Sequence, residues 1–209
     1  MTALIDARPR TVRNVGLVVL WFAVALLAAA TDFFVTGPDE PPWRLGLFTG
    51  LPVLLTALGL WRSESFRAWA ASLDLRLMIQ LQSWRLAGFV FISFSANGLL
   101  PASFAIPASL GDAAIALTAP FMANYVARRG RAAMPVFLAW TVFGFLDLVN
   151  AVTLGVLNSR GPIGILSDQI VTTELVTHLP VVLIPVFGVP LMLVLHLLSA
   201  ANLKSQIGH

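Results

Sequence analysis

Cysteine is absent from the chain, which removes disulfides, thiolate metal ligands, cysteine nucleophiles and iron–sulfur clusters together. Charge is scarce as well. Asp, Glu, Lys and Arg make up 11% of the 209 residues, whereas a domain facing water on all sides carries roughly a quarter. Lysine is almost missing: twelve of the thirteen basic residues are arginine, and the exception is Lys204. No glycine-rich phosphate loop, nucleophile elbow or zincin helix occurs, so no chemistry is announced by a motif.

Apolar side chains fill the space that charge leaves. They make up 58% of the residues, and the mean hydropathy is +0.86. At about 20 apolar residues per crossing, the chain has room for six or seven membrane spans and no separate soluble domain. The sequence pI of 10.6 would suggest nucleic acid, but the arginines are scattered at the ends of apolar runs. Orientation in a bilayer explains that scatter better than a nucleic-acid groove does, and no nucleic-acid partner is expected.

The apolar runs predict an all-α polytopic helix bundle forming one transmembrane domain over 1–209. Its six spans fall at about 15–35, 45–61, 84–100, 112–127, 133–157 and 179–201. The first run follows Arg8, Arg10 and Arg13 and ends near three alanines, a pattern a cleavable signal peptide shares. Its length, through Phe33, Phe34 and Val35, favours an uncleaved anchor. Between the second and third spans, Phe66, Trp69, Leu73, Leu77 and Leu81 recur at helical spacing among Glu64, Arg67, Asp74 and Arg76. That spacing predicts an amphipathic interfacial helix over 64–82. Residues 101–111, with two prolines and no charge, read as a loop. The turn Arg128-Arg129-Gly130-Arg131 is so short that it joins an antiparallel hairpin.

Loop charges test the division. With the N-terminus inside, inner segments hold Arg8, Arg10, Arg13, Arg62, Arg67, Arg76, Arg85, Arg128, Arg129, Arg131 and Lys204. The outer loops hold Arg44 and Arg160 alone. The bias expects a bacterial inner-membrane protein with both termini in the cytoplasm. A weak match at an offset of 56, such as Trp84 with Trp140 and Gly88 with Gly144, is too sparse to signal a repeat.

Ionisable groups inside a membrane are costly, and by default they suggest function. Asp147 lies about 20 Å along the fifth span from Met134, with Asn150 three residues on. The pair reads as a proton or cation site, or more plainly as a buried interhelical hydrogen bond. Asp32, Asn97, Asp112, Asn150, Glu174 and His178 all fall in the outer half, against Asn124 and His196 in the inner half. An acidic cavity open to the exterior is one reading of that asymmetry. Ordinary polar helix ends are the other, with Asp112 favoured at a helix N-terminus by the dipole. The candidate polar site is therefore Asp147, Asn150, Asp112, Asn97, Glu174 and His178.

Glu174 and His178 are spaced to chelate a metal, but zinc wants three or four ligands, and no metal is expected. His178 and His196 are about 27 Å apart on one helix, and His209 is the remaining partner, so no haem or other cofactor is expected. Pro180, Pro185 and Pro190, with Gly188, interrupt the last span, as in helices that line binding sites or in a kinked packing helix. Gly144 and Gly155 read as helix-packing contacts.

The stretch Trp84–Pro120, with Arg85-Leu-Ala-Gly88, Gly98-Leu-Leu-Pro101, Phe104-Ala-Ile-Pro107 and Gly111-Asp112, resembles uncharacterised bacterial multi-pass integral membrane proteins. The resemblance extends through the Asp147 span to the proline-rich last helix, about two thirds of the chain. It implies no activity and assigns no functional residue.

Three functions fit these readings. The first is a small transporter or channel-like protein moving a small solute or proton through Asp147 and Asn150. The second is a membrane-embedded enzyme acting on a lipid or isoprenoid, with Asp112, Asp147, Glu174 and His178 as acid–base groups. The third is a non-catalytic subunit or assembly factor bound to partner membrane subunits or to copies of itself.

Overall fold

A computed structural model describes residues 3–37 and 40–205. His209, the remaining haem-ligand candidate, lies outside the described residues. Among the described residues the chain is helical and forms no strand. The α-helices are α1 (Ala3–Ala30), α2 (Trp43–Arg62), α3 (Glu64–Ala71), α4 (Leu75–Leu81), α5 (Val90–Ala96), α6 (Ala102–Arg129), α7 (Met134–Leu157) and α8 (Val189–Ser205). A 3-10 stretch, Gln82–Phe89, joins α4 to α5, so that Leu75–Ala96 is one continuous rod of 22 residues.

Five segments are long and apolar enough to cross a membrane: Val12–Ala30, Trp43–Arg62, Leu75–Ala96, Ala102–Leu157 and Ile184–Leu203. The fourth spans 56 residues, about 84 Å if straight, nearly three times the ~30 Å hydrocarbon thickness. It is not straight. At Gly130, with φ of +53°, the chain turns back, and α7 packs along α6 with Trp140 Nε1 donating to Thr118 Oγ1 at 2.9 Å. Large apolar side chains face outward throughout: Phe121 is 75% exposed and Leu27 is 68% exposed. In water such a surface would tend to aggregate, whereas it fits the hydrocarbon of a membrane.

Several boundaries differ from those read in the sequence. The expected interfacial helix over 64–82 is two elements. Ser63 caps α3 by accepting from the Phe66 N–H at 3.2 Å, and buried Asn202 of α8 ends it by donating to the carbonyls of Ala70, Ala71 and Leu73. Asp74 then accepts from the Leu77 N–H at 3.1 Å and starts a new helix. Each cap satisfies backbone groups that a helix end leaves without partners. The third crossing segment therefore begins at Leu75 rather than Trp84, and it absorbs half of the amphipathic stretch. The expected loop over 101–111 is the start of α6. Pro101 sits at its N-cap in an extended conformation, and Pro107 is carried inside the helix. The last segment starts later than Leu179, because Ile184–Gly188 forms a π turn before α8.

Helix α8 is the hub, packing against α2, α3, α4 and α7, while α6 packs against α4, α5, α7 and the 3-10 stretch. At the end bearing Arg128–Arg131, hereafter the basic end, Met78, Ile79, Ala123, Phe137, Leu193 and Leu198 close a dense core. Two smaller clusters occupy the opposite end. One, on α5 and α6, centres on Phe91, Phe104 and Ala105; the other joins Ala25, Ala29 and Phe34 to Val182 and Val186. Between these two small clusters the packing leaves room.

Candidate functional site

The 3-10 stretch turns Arg85 into the interior, where its side chain is 1% exposed. Nε donates to Asp112 Oδ1 of α6 at 2.8 Å, and Nη1 donates to the Gly144 carbonyl of α7 at 3.0 Å. Nη2 pairs with Asp147 Oδ2 of α7. Nη1 also faces Nε2 of His196, on α8, at 3.5 Å, and the His196 ring lies edge-on to Trp140 at 5.5 Å. One guanidinium thus ties together three helical elements and approaches a fourth. The rigid fork of arginine suits this task, because its five N–H groups point in fixed, divergent directions.

Glycine makes the convergence possible. A Cβ on Gly88 would collide with the Asp112 carboxylate, and one on Gly111 with the Asp147 carboxylate. A Cβ on Gly144 would lie 2.6 Å from His196 Nε2. Each polar head that meets Arg85 therefore rests on bare backbone of the neighbouring element. Ser109 strengthens one of these seats by donating to the Gly88 carbonyl at 3.0 Å. Small residues here let polar groups approach, a purpose beyond the helix packing expected of Gly144.

Two carboxylates share one guanidinium, so the cluster carries an excess negative charge when both are ionised. In a low-dielectric interior such an excess is expensive, and it is relieved by a proton or by a second cation. Removing Arg85 would leave both acids uncompensated, and breaking a buried pair in this way costs about 3–5 kcal/mol.

A cavity of about 100 Å³ opens toward the end opposite the basic one and reaches Asp112. Its walls come from α2 (Leu45, Thr49), α5 (Phe91), α6 (Phe104), α7 (Leu148, Val152) and the π turn (Ile184, Pro185). Around its mouth stand Ser159, Arg160, Thr173 and Glu174, with Arg160 and Glu174 paired at 3.5 Å. Asp112 Oδ2 accepts no hydrogen bond from the described residues, and Ser159 Oγ is buried with no partner among them. The π turn shapes the wall. With Val189 N–H bonded to Ile184, the Pro185 carbonyl accepts instead from Thr49 Oγ1 at 2.7 Å. A carbonyl freed by the interrupted helix thus finds its partner on a neighbouring helix.

Of the six residues of the candidate polar site, Asp112 and Asp147 meet through Arg85, where His196 joins them, and the other four lie elsewhere. Asn150 is exposed and has no contact with the cluster. Asn97 is exposed and bonds back to Ser93 O at 2.8 Å, ending α5. Glu174 stands at the cavity mouth, and His178 is outside the lining. Glu174 lies in a 3-10 turn that ends at Thr177, and His178 is extended, so the two are not one α-helical turn apart. Among the described residues no three His, Cys, Asp or Glu side chains group as a metal site.

Arg85 is what the sequence reading placed wrongly, as a cation of an inner loop. The available signal was Asp74: taken as a helix cap, it starts the span at Leu75 and puts Arg85 about 15 Å along the rod. Without Arg85 the positive bias still stands at ten against two.

Fold and site together define an all-helical protein whose apolar helices fit a membrane and whose centre is a buried Arg–Asp–Asp cluster. The chain belongs to the family described as a domain of unknown function (DUF8737), whose model matches residues 42–204. That match contains α2 to α7, nearly all of α8 and every residue of the cluster, and leaves α1 outside. Neither a curated protein nor a solved structure matches the chain.

Proposed function

We propose that the protein crosses the membrane six times, with the basic end in the cytoplasm, and carries a small solute in exchange with protons at Asp112 and Asp147. The observation that carries this reading is the cavity that runs from the far end to Asp112 and stops there. Beyond the cluster, toward the basic end, Phe137, Ile79 and Leu198 are buried in the dense core. A site near the membrane middle, open to one side and sealed on the other by packed side chains, is one half of an alternating-access cycle. The π turn and Pro185 border that site, as interrupted helices do in transporters.

The enzymatic reading receives less support. Asp112 and Asp147 converge, but Glu174 and His178, its remaining acid–base groups, do not join them. A general acid or base must stand within hydrogen-bond reach of the reacting atom.

Proteoliposomes with an entrapped pH dye test the proposal. Small ammonium ions, alcohols and carboxylates of up to about five heavy atoms, suited to a cavity of this size, are presented outside. At least one should drive a proton signal, which Asp147→Asn abolishes while the variant still elutes as folded protein. An undiminished signal in that variant, or none from any probe with wild type, would refute the transport reading.

A further inference from the structure

Resting on that reading of the cavity, we infer that its ligand is a small organic ammonium ion, seated with its charge against the Asp112 carboxylate. Three observations converge. Asp112 is 8% exposed and lines the cavity, its Oδ1 is held by Arg85, and its Oδ2, lying against the Gly88 backbone, accepts no hydrogen bond from the described residues. The charged groups of the cluster beside it are Arg85 from the 3-10 stretch and Asp147 from α7, the His196 ring of α8 faces Arg85, and α2 presents the Thr49 hydroxyl to the cavity. Arg160 and Glu174 neutralise each other at the mouth. The unbalanced charge at the floor is therefore negative, and a cation complements it, whereas an anion is repelled and a neutral solute gains nothing from it.

The rest of the lining selects the ligand's body. Phe91 and Phe104 stand side by side, with ring centroids 5.3 Å apart, and Leu148, Val152 and Ile184 complete an apolar wall. Aromatic faces favour alkylammonium groups over strongly hydrated metal ions. Size sets the upper limit. A 150 Å³ apolar cavity is known to accept benzene, so about 100 Å³ takes something slightly smaller. Tert-butylammonium, with five heavy atoms, fits that description.

Exchange follows from charge balance. The excess negative charge of two carboxylates and one guanidinium is offset either by a proton or by the ammonium ion. Arrival of the cation releases the proton, and no other bond forms or breaks.

Titration of the purified full chain in weakly buffered detergent separates the possibilities, with tert-butylammonium, tert-butanol and propionate, each of five heavy atoms, as probes at matched ionic strength. The expected result is binding of tert-butylammonium at least tenfold tighter than of the other two, with proton release on binding. Asp112→Asn should lose both, and it leaves one carboxylate per guanidinium, so the cluster stays balanced. Val152→Phe fills the cavity away from the cluster and should also lose binding. Equal binding of tert-butanol or propionate, unchanged binding by Asp112→Asn, or no binding of the ammonium probe overturns the inference. If a neutral or anionic probe moves protons in proteoliposomes, this inference fails alone. If tert-butylammonium binds but no probe moves protons, the transport reading fails alone.

Discussion

The carboxylate of Asp147 rests directly on the backbone of Gly111, in the space that any other residue's Cβ would fill. The two residues belong to antiparallel helices and are brought level by the turn at Gly130. Gly111→Ala should therefore push Asp147 off Arg85, combining an overpacking cost of about 1–3 kcal/mol with loss of a buried partner. Gly46→Ala and Gly50→Ala, where no atom lies within 4 Å of the added carbon, serve as controls. Thermal unfolding in detergent should show a large drop for the first and almost none for the others.

Arg85 is worth more to the fold than a surface arginine, because it neutralises two buried acids at once. Arg85→Gln is expected to lower stability by about 3–5 kcal/mol. Adding Asp112→Asn and Asp147→Asn to it should recover a large part of that loss, because no charge is then left unpaired. A triple variant no more stable than the single one would argue against the charge account.

Thr49 supplies a hydrogen to the Pro185 carbonyl at 2.7 Å and to its own helix at Leu45 O, 2.9 Å. Thr49→Val keeps the shape and removes the bond across helices. A cost of about 0.5–1.5 kcal/mol is expected, together with faster hydrogen exchange around the π turn. Unchanged exchange there would mean that the carbonyl finds another partner.

The chain between α7 and α8 offers a pH-dependent contact outside the crossing segments. Asp168 Oδ1 accepts from the backbone N–H groups of Ile170 at 2.9 Å and Val171 at 3.0 Å, and these bonds hold its carboxyl below the usual 3.8. A depressed value means that the contact is fully present above about pH 4 and is lost as pH falls through the lower folded value. Protection of the Ile170 and Val171 amides, measured relative to free-peptide exchange at each pH, should fall as pH drops through the lowered carboxyl value, and Asp168→Asn should flatten that dependence.

Orientation has its own test. Reporter fusions after Gly130 and after Arg160 should lie on opposite sides of the membrane, the first in the cytoplasm. Finding both on one side would remove the six-crossing topology.

The apolar runs, the scarcity of charge and the bias of the arginines were legible because hydropathy is a local property, summed over about 20 neighbouring residues. The same holds for α2 and α7, whose ends fall within two residues of those read from the runs. Asp147 also stood out locally, as an acid with apolar residues on either side. Asn150 misled, because three residues on a helix share a face only in part, and Asn150 points outward.

Which polar groups meet was decided by tertiary structure alone. Arg85 reaches Asp112, 27 residues away, and Asp147, 62 residues away, and no periodicity within one helix encodes such a pairing. It needs Asp74 to start a rod early, Gly130 to reverse a hairpin, and Gly88, Gly111 and Gly144 to leave room at three crossings. Helical spacing fixes the face on which a side chain sits, but the partner of that face depends on how the helices pack.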